Sequence, residues 1–493
     1  MSLAIERMRP VTLTFPLILL ASLALAGMGA GVPSMIPLLA FVVALGIVAL
    51  PMRWSALPLL AIALIVDNPG ERPMDDRWRS PFLPPGELLY LNLHKLTGIE
   101  ALRFSALELM GALLILVVLQ RKLRGDLIDD PDRLGALPNP LKIGFGVMFA
   151  ALVWLELYGL GTGGDFKNSL WQLRQLAWLP LFGVLFGNAL KTAASRRWLL
   201  RIVLLAAWVR ACLGIYFYMA IARPTGERPP YVTTHSDAVL AVIAILIALA
   251  ALVVRPSREH VVLNLVAQPV LLLGLILNDR RIAFVSLFAG IAALVLMAPG
   301  AVRRTVQRGI VMSLPFVLVY AAVGWTSEAT IFRPVSIVRS VINQDDTSSQ
   351  TRDIENYNLI YTLKHHPVLG SGFGHEYMEK VQGNRVDQFF AQYRFIAHNS
   401  ILWLLSLAGA IGFALIWACL PTAVLIGLIT FRMAPGDGDR LVAYAAIAAV
   451  LCFVVQAWGD MGLQSWMGTL LVASLTGAAG AIYTRQQLTG VPA

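Results

Sequence analysis

"FIAHNSILWLLSLAGAIGFALIW", Phe395 to Trp417, opens with a His-Asn pair and then runs almost wholly apolar, broken only by Ser400, Ser406, Gly409 and Gly412. A helix crossing roughly 30 Å of hydrocarbon needs about 20 such residues. Runs of this kind recur along the chain, each ended by Arg, Lys, Pro or Gly clusters, and they lack the period-two alternation of barrel strands. Of 493 residues, 57% are hydrophobic and 14% charged, too little polar surface to cover a water-soluble globule of this length. The sequence predicts an all-α, polytopic integral membrane protein.

Spans are expected near 11–31, 33–50, 54–67, 104–120, 140–160, 171–190, 199–221, 236–254, 262–278, 282–298, 309–325, 398–431, 441–458 and 465–483. That makes about fourteen transmembrane helices, within a range of about 12 to 14. Region 398–431 is too long for one straight span and reads as a shallow helix ending at the glycines, followed by a true span. The run Val11–Ala30 follows Arg7 and Arg9 and reads as a retained first anchor, because many spans follow it. Cys212, Cys419 and Cys452 all lie inside apolar runs, without CxxC spacing, and read as core packing.

The formal net charge is +10. Lys and Arg in short connections favour the cytoplasm, which accounts for this charge without a nucleic-acid partner. Arg121, Lys122, Arg124 and Arg133, then Lys191, Arg196 and Arg197, then Arg255 and Arg258, then Arg303, Arg304 and Arg308, then Arg432 and Arg440 fall on one side. Both termini are then cytoplasmic, and two long segments, 68–103 and 326–397, lie outside. The larger reads as a subdomain. "TRDIENYNLIYTLKHH" has helical spacing at Ile354, Tyr357 and Tyr361, "HPVLGSGFG" stops that helix, and "VDQFFAQYRF" offers a second short amphipathic stretch.

Cations at outer span mouths run against the same bias. Arg280 and Arg281 stand at the start of the tenth span, Arg223 and Arg228 precede the eighth with His235 and Asp237 at its entrance, Arg174 lies in the sixth, and Arg210 within the seventh. One such arginine reads equally well as a snorkelling headgroup contact. Several on neighbouring mouths, facing an imidazole, suit a diphosphate at the lipid boundary, since guanidinium forks bind phosphate oxygens bidentately. His398 is a candidate general base toward a sugar hydroxyl, with Asn399 orienting the ring or substrate. The acidic pairs Asp75-Asp76 and Asp345-Asp346 read as solvated loop or cap residues, and no metal site is expected.

His398-Asn399, nine residues, Gly409, two residues, Gly412 resembles the signature of the O-antigen ligase and polymerase superfamily of bacterial envelope glycan transferases. "HHPVLGSGFG" is similar to the family's His-Pro-apolar-apolar-Gly-x-Gly-x-Gly segment, "NDRRIAFVSLFAG" to its Arg-led helix, and "RPTGERPPYVTTHSDAVLA", more loosely, to its Arg-x-x-Gly loop. The likeness covers roughly 220–430. It divides the chain into N-terminal helices over 1–200, a catalytic region over 201–431 that includes loop 326–397, and a C-terminal helix pair over 432–493.

The resemblance implies a metal-independent, cofactor-free, inverting transfer of glycan from an undecaprenyl-diphosphate carrier to an acceptor hydroxyl, at the periplasmic face of the inner membrane. The acceptor would be a second glycan, for an O-antigen or exopolysaccharide polymerase, or lipid A core, for a ligase of lipopolysaccharide biosynthesis. A protein-glycosylating transferase is a third option. By carry-over His398 is the base, Arg281 or Arg280 holds the diphosphate, and Arg223 or Arg228 is the second phosphate contact. Topology adds Arg174 and His235 to the binding set. The large loop and long N-terminal half favour a polymerase. The rival reading is a secondary transporter or flippase of a lipid-linked or anionic substrate, with Glu108 and Glu156 as its buried charges, although no internal repeat supports symmetric halves.

Overall fold

The computed structural model describes residues 51–71, 80–98, 100, 102–123, 137–226, 231–298, 300–327, 329–336, 339, 347–383 and 392–489. The expected spans 11–31 and 33–50, both acidic pairs, Arg228 and most of "VDQFFAQYRF" lie outside the described residues.

Every described regular element is helical. The helices of eight or more residues are α1 Arg53–Ile65, α2 Leu83–Tyr90, α3 Ala106–Leu123, α4 Asn139–Gly161, α5 Phe166–Ala189, α6 Ala193–Phe217, α7 His235–Val254, α8 Arg258–Asn278, α9 Arg281–Met297, α10 Gly300–Gly324, α11 Thr347–His365, α12 Ser400–Trp417, α13 Cys419–Met433, α14 Asp437–Gly459 and α15 Trp466–Thr489. Eight segments among the described residues are long and apolar enough to cross a membrane: α4, α6 continued to Thr225, α7, α8, α10 from Arg303, α12 with α13, α14, and α15. α1 and α9 are apolar but shorter.

Short connections make neighbouring helices antiparallel, and side-chain ties show which ends lie together. At one end Arg196 Nη2 meets Asp439 Oδ1 at 2.8 Å, Arg53 Nη1 reaches Thr192 Oγ1 at 3.5 Å, and Arg432 Nε reaches the Met297 carbonyl at 3.4 Å. This basic end gathers the starts of α1, α6 and α14 and the ends of α9 and α13. At the other end, here called the mouth, α11 and residues 366–383 and 392–397 lie over the ends of α4 and α14 and the first half of α12.

Burial sorts the helices into a centre and a rim. In α7, α14 and α15, 78%, 78% and 89% of the most apolar window is buried, against 6% in α10, whose Phe316, Met312 and Val311 point outward. The central three are rich in alanine, including Ala244, Ala248, Ala445, Ala449, Ala478 and Ala479, all buried. Lipid tails are as apolar as leucine, so helices associate in a bilayer by close contact, and small side chains permit it.

The long 400–433 region breaks where the sequence places its glycines. Gly409 has φ 61° and ψ −175°, inside an otherwise helical α12. Beyond the break the chain runs down α4: Gly412 faces Leu155, and Cys419 Sγ lies 3.4 Å from Met148 Sδ. Before it, the first turns cross the mouth, where Ser400 Oγ donates to the Asp460 carbonyl at 3.1 Å. Four backbone groups at the break are taken by the 366–374 loop. Ser371 N and Gly372 N donate to the Ser406 and Leu407 carbonyls at 3.3 and 2.9 Å, while Ala410 N and Ile411 N donate to the Pro367 and Val368 carbonyls at 2.9 and 3.2 Å.

Two glycines make this crossing possible. A Cβ on Gly409 would stand 2.4 Å from Gly370 N and from the Val368 carbonyl oxygen, and one on Gly370, at φ 73°, would stand 2.0 Å from the Leu407 oxygen. Both positions also need a left-handed φ, which costs a side-chain-bearing residue of order 1–3 kcal/mol. We therefore expect Gly409→Ala to lose at least about 2 kcal/mol of stability. Gly436→Ala, at φ −100° with no atom within 4 Å of the added carbon, should be neutral. Thermal unfolding of both variants in detergent checks this, and equal midpoints would contradict it.

Candidate functional site

α11 is strapped to the 375–383 segment through its own polar face. Asn358 Nδ2 donates to the Val381 carbonyl at 2.8 Å, its Oδ1 accepts from Lys380 N and Val381 N at 2.9 Å each, and Thr362 Oγ1 accepts from Met378 N at 2.8 Å. The buried stripe is thus Glu355, Asn358, Leu359 and Thr362. The expected stripe of Ile354, Tyr357 and Tyr361 is displaced by about one residue: Tyr357 is exposed and the other two are half-buried. The helix hides hydrogen bonds as well as apolar surface, which an apolar count does not register.

Glu355 is 3% exposed and points at the residue before α12. Its Oε2 accepts from His398 N at 3.0 Å, and its two oxygens stand 3.2 and 3.3 Å from His398 Nδ1. With Nδ1–H donating to the carboxylate, Nε2 carries the lone pair, and the ring keeps 36% of its side-chain surface exposed. The Glu355 hydrogen bond holds this imidazole above its ordinary 6.5, against the opposing effect of burial. The approach to His398 is itself fixed, because Gln172 Nε2 and Trp403 Nε1 both donate to the Phe395 carbonyl, at 2.6 and 2.7 Å.

A second group converges from α7, α9 and α14. His235, first residue of α7, has Nδ1 3.3 Å from Asp460 Oδ2. Asp279 ends α8 in the left-handed region, at φ 55°, a conformation that short Asp side chains tolerate. This turns Arg280 inward, with its guanidinium 3.9 Å over the Tyr231 ring and its Nε buried without a hydrogen-bond partner among the described residues. Arg352, one helical turn before Glu355 on α11, acts electrostatically on His235, Arg280 and His398, and Asp460 acts on the same three.

The structure therefore brings His398, Arg280 and His235 to one mouth and places the other candidates differently. Arg281 is exposed at the start of α9. Arg223 is exposed in the 3₁₀ turn after α6, with Nη1 3.9 Å from Met219 Sδ. Arg174, in the third turn of α5, is committed: it binds both Glu108 oxygens, the Nε bond to Oε1 being 2.9 Å, and Asn92 Oδ1 at 2.8 Å. Asn399 is the N-cap of α12, its Oδ1 accepting from Leu402 N at 3.1 Å. Arg210 is buried between Asp67 and Asp237, bound to the latter at 2.6 and 2.9 Å.

Glu355, Arg352 and Asp460 escaped the sequence reading. Each left a trace: Glu355 is a carboxylate on the stripe of Leu359 and Thr362, Arg352 lies three residues before it, and Asp460 is the one charged residue of the 460–465 turn.

Residues 268–417 match the family model described as Wzy_C, O-antigen ligase. That stretch is similar to an O-antigen ligase domain. The match spans the second half of α8 through α12, and so contains Arg280, Arg352, Glu355, the glycine loop, His398 and the break at Gly409. The match supports the O-antigen ligase and polymerase superfamily that the motifs resemble. No curated protein matches the chain.

Two outcomes follow from this geometry. In Glu355→Gln, His398 should titrate at lower pH than in the wild type, because the charged acceptor that favours the imidazolium is gone; site-resolved diethylpyrocarbonate labelling against pH reads the midpoint, and an unchanged midpoint contradicts the pairing. Arg174→Ala should cost about 2–4 kcal/mol of stability by leaving Glu108 buried and unpaired. Detergent unfolding measures that loss, and wild-type stability would contradict it.

Proposed function

We propose that this protein is an inverting membrane glycosyltransferase that moves a glycan from an undecaprenyl-diphosphate carrier to an acceptor hydroxyl. The observation that carries this reading is the His398–Glu355 pair at a cationic mouth, inside the stretch that matches the ligase family. The acceptor oxygen attacks the anomeric carbon from the side opposite the diphosphate, and its proton passes to His398 Nε2. The bond from that carbon to the phosphate oxygen breaks, and the diphosphate leaves with its negative charge facing Arg280 and Arg352.

The parts suit the chemistry. A lipid diphosphate is already a good leaving group, so the demand is for charge stabilisation, proximity and a base, which guanidinium groups and an oriented imidazole supply without a metal. Glu355 acts as the orienter, fixing the tautomer that exposes the Nε2 lone pair. Of the doubled arginines, Arg280 is the diphosphate contact, because it turns into the mouth, while Arg281 and Arg223 face outward toward lipid headgroups or the second phosphate.

In this reading the full chain has about fourteen spans. The basic end and both termini are cytoplasmic, the 326–397 segment is a periplasmic subdomain, and 201–431 forms the catalytic region of an inner-membrane enzyme. The acceptor is a second lipid-linked glycan, for O-antigen or exopolysaccharide polymerisation, or lipid A core. The transporter reading loses ground because Glu108 sits in the first turn of α3 and Glu156 within the last two turns of α4, near the mouth and away from mid-depth.

Purified protein in detergent, given undecaprenyl-diphosphate oligosaccharide and EDTA, should extend it into a ladder of lipid-linked glycans or, if it is a ligase, transfer it once lipid A core is added. His398→Ala should lower turnover at least about 100-fold, and Arg280→Lys should also be impaired, since a point charge does not replace a fork. Gels and mass spectra of the products read this. Full turnover by His398→Ala would remove the base assignment, and no transfer by the wild type to either acceptor would remove the transferase reading.

A further inference from the structure

A diphosphate seat explains the arginines at the mouth and leaves its opposite corner unexplained. Asp460 follows α14 in an extended conformation, with φ −159° and ψ 177°. Its carbonyl is committed, accepting from Ser400 Oγ at 3.1 Å and from Gly462 N at 2.7 Å, so the residue is rigidly held. Its carboxylate is 14% exposed and stands 3.3 Å from His235 Nδ1. That contact does not meet the alignment of a hydrogen bond, and His235 Nδ1 is a buried nitrogen without one among the described residues.

The same is true of two neighbours. Gln456, four residues earlier on α14 and 2% exposed, has an unpartnered Oε1. Gln464, whose amide meets the Ser400 hydroxyl at 3.2 Å, keeps its other amide atom unpartnered. With Arg280 Nε, four buried polar atoms lack partners among the described residues, all on residues that lie within four positions of Asp460 or interact with its carboxylate. Leaving a buried polar atom unmade costs about 1–3 kcal/mol each, so such a cluster marks a place where another molecule supplies the missing bonds.

The chemistry of that molecule follows from the signs. Arg280 donates, Asp460 accepts, and the amides of Gln456 and Gln464 and the imidazole supply either. A phosphate offers only acceptors and would face the Asp460 charge. A polyol offers donor and acceptor at every hydroxyl, and two adjacent hydroxyls match the two oxygens of a carboxylate. We propose that the Asp460 corner, walled by His235, Gln456, Gln464 and Arg280, is a saccharide subsite that binds the acceptor sugar and delivers its hydroxyl to His398. Ser400 ties this corner to the His398 segment, since it is the second residue after the base and holds both Asp460 and Gln464. The inference rests on the transferase reading for the direction of delivery, while the binding of a sugar at this corner does not.

The test uses the full-length protein in detergent, as wild type, Asp460→Asn and Gln464→Leu. The probe is the oligosaccharide released by mild acid from the lipid-linked pool of cells that make this protein. Saturation-transfer NMR should show the sugar bound to wild type, with affinity weakened about tenfold or more in Asp460→Asn, as expected for a lost hydrogen bond to a charged group, and weakened less in Gln464→Leu. Binding of undecaprenyl diphosphate should stay within about twofold of wild type in both variants, which also reports that they are folded. In transfer assays the acceptor KM should rise with little change in kcat.

No saturation transfer to wild type would overturn the subsite, as would an equal loss of undecaprenyl-diphosphate affinity in Asp460→Asn, or a fall in kcat at unchanged acceptor KM. Sugar binding that depends on Asp460 in a protein that transfers nothing would uphold the subsite and remove the transferase reading instead.

Discussion

Four backbone hydrogen bonds across the break at Gly409 hold the functional half of this molecule together. A helix interrupted at membrane depth exposes N–H and C=O groups that lipid cannot satisfy, so the break persists only where protein fills it. Here the filler is the Pro367–Gly372 backbone, which donates to two freed carbonyls and accepts from two freed amides. The consequence is positional. The break sends the turns after Ser400 across the mouth toward Asp460, and it ties that segment to the loop leaving α11. His398, just before α12, and Glu355 on α11 are then held at 3.2 Å by elements that share one clasp.

Buried charge divides by use in the same frame. Arg174 and Arg210 have their donors taken by Glu108, Asp67, Asp237 and nearby backbone oxygens, and they join α5 to α3 and α6 to α7. Such pairs are costly to break and make poor ligand sites, because their bonds are already made. Arg280 is held over an aromatic ring with a buried, unpartnered nitrogen, and Arg352 makes no ion pair among the described residues. The distinction between a structural and a ligand-facing arginine is thus one of remaining hydrogen-bond capacity.

Much of this was readable in the residues. Length and apolarity marked the helices, the glycines marked the break in 400–433, and the His-Asn pair marked the mouth. The two arginines of the Arg280-Arg281 doublet are alike in sequence and differ in the fold because Asp279 adopts a left-handed φ, turning one side chain in and the next out. Arg174 looked like a ligand contact because its partner Glu108 lies 66 residues earlier, and Glu108 in turn looked like an isolated membrane carboxylate. Glu355 escapes the pattern because the periodicity is anchored on Ile354, Tyr357 and Tyr361, while the buried face of α11 is largely polar. Long-range pairing and polar burial are the two things that a hydrophobic pattern does not carry.

The proposed transfer requires His398 and Glu355 to act as one unit, and a double-mutant cycle on glycan transfer measures that directly. Turnover would be compared for wild type, Glu355→Gln, His398→Ala and the double variant, at equal amounts of folded protein. If the carboxylate works through the imidazole, Glu355→Gln slows the wild type and has no further effect once His398 is gone. If its loss multiplies fully with that of His398, the two act independently and the pair is not the catalytic unit.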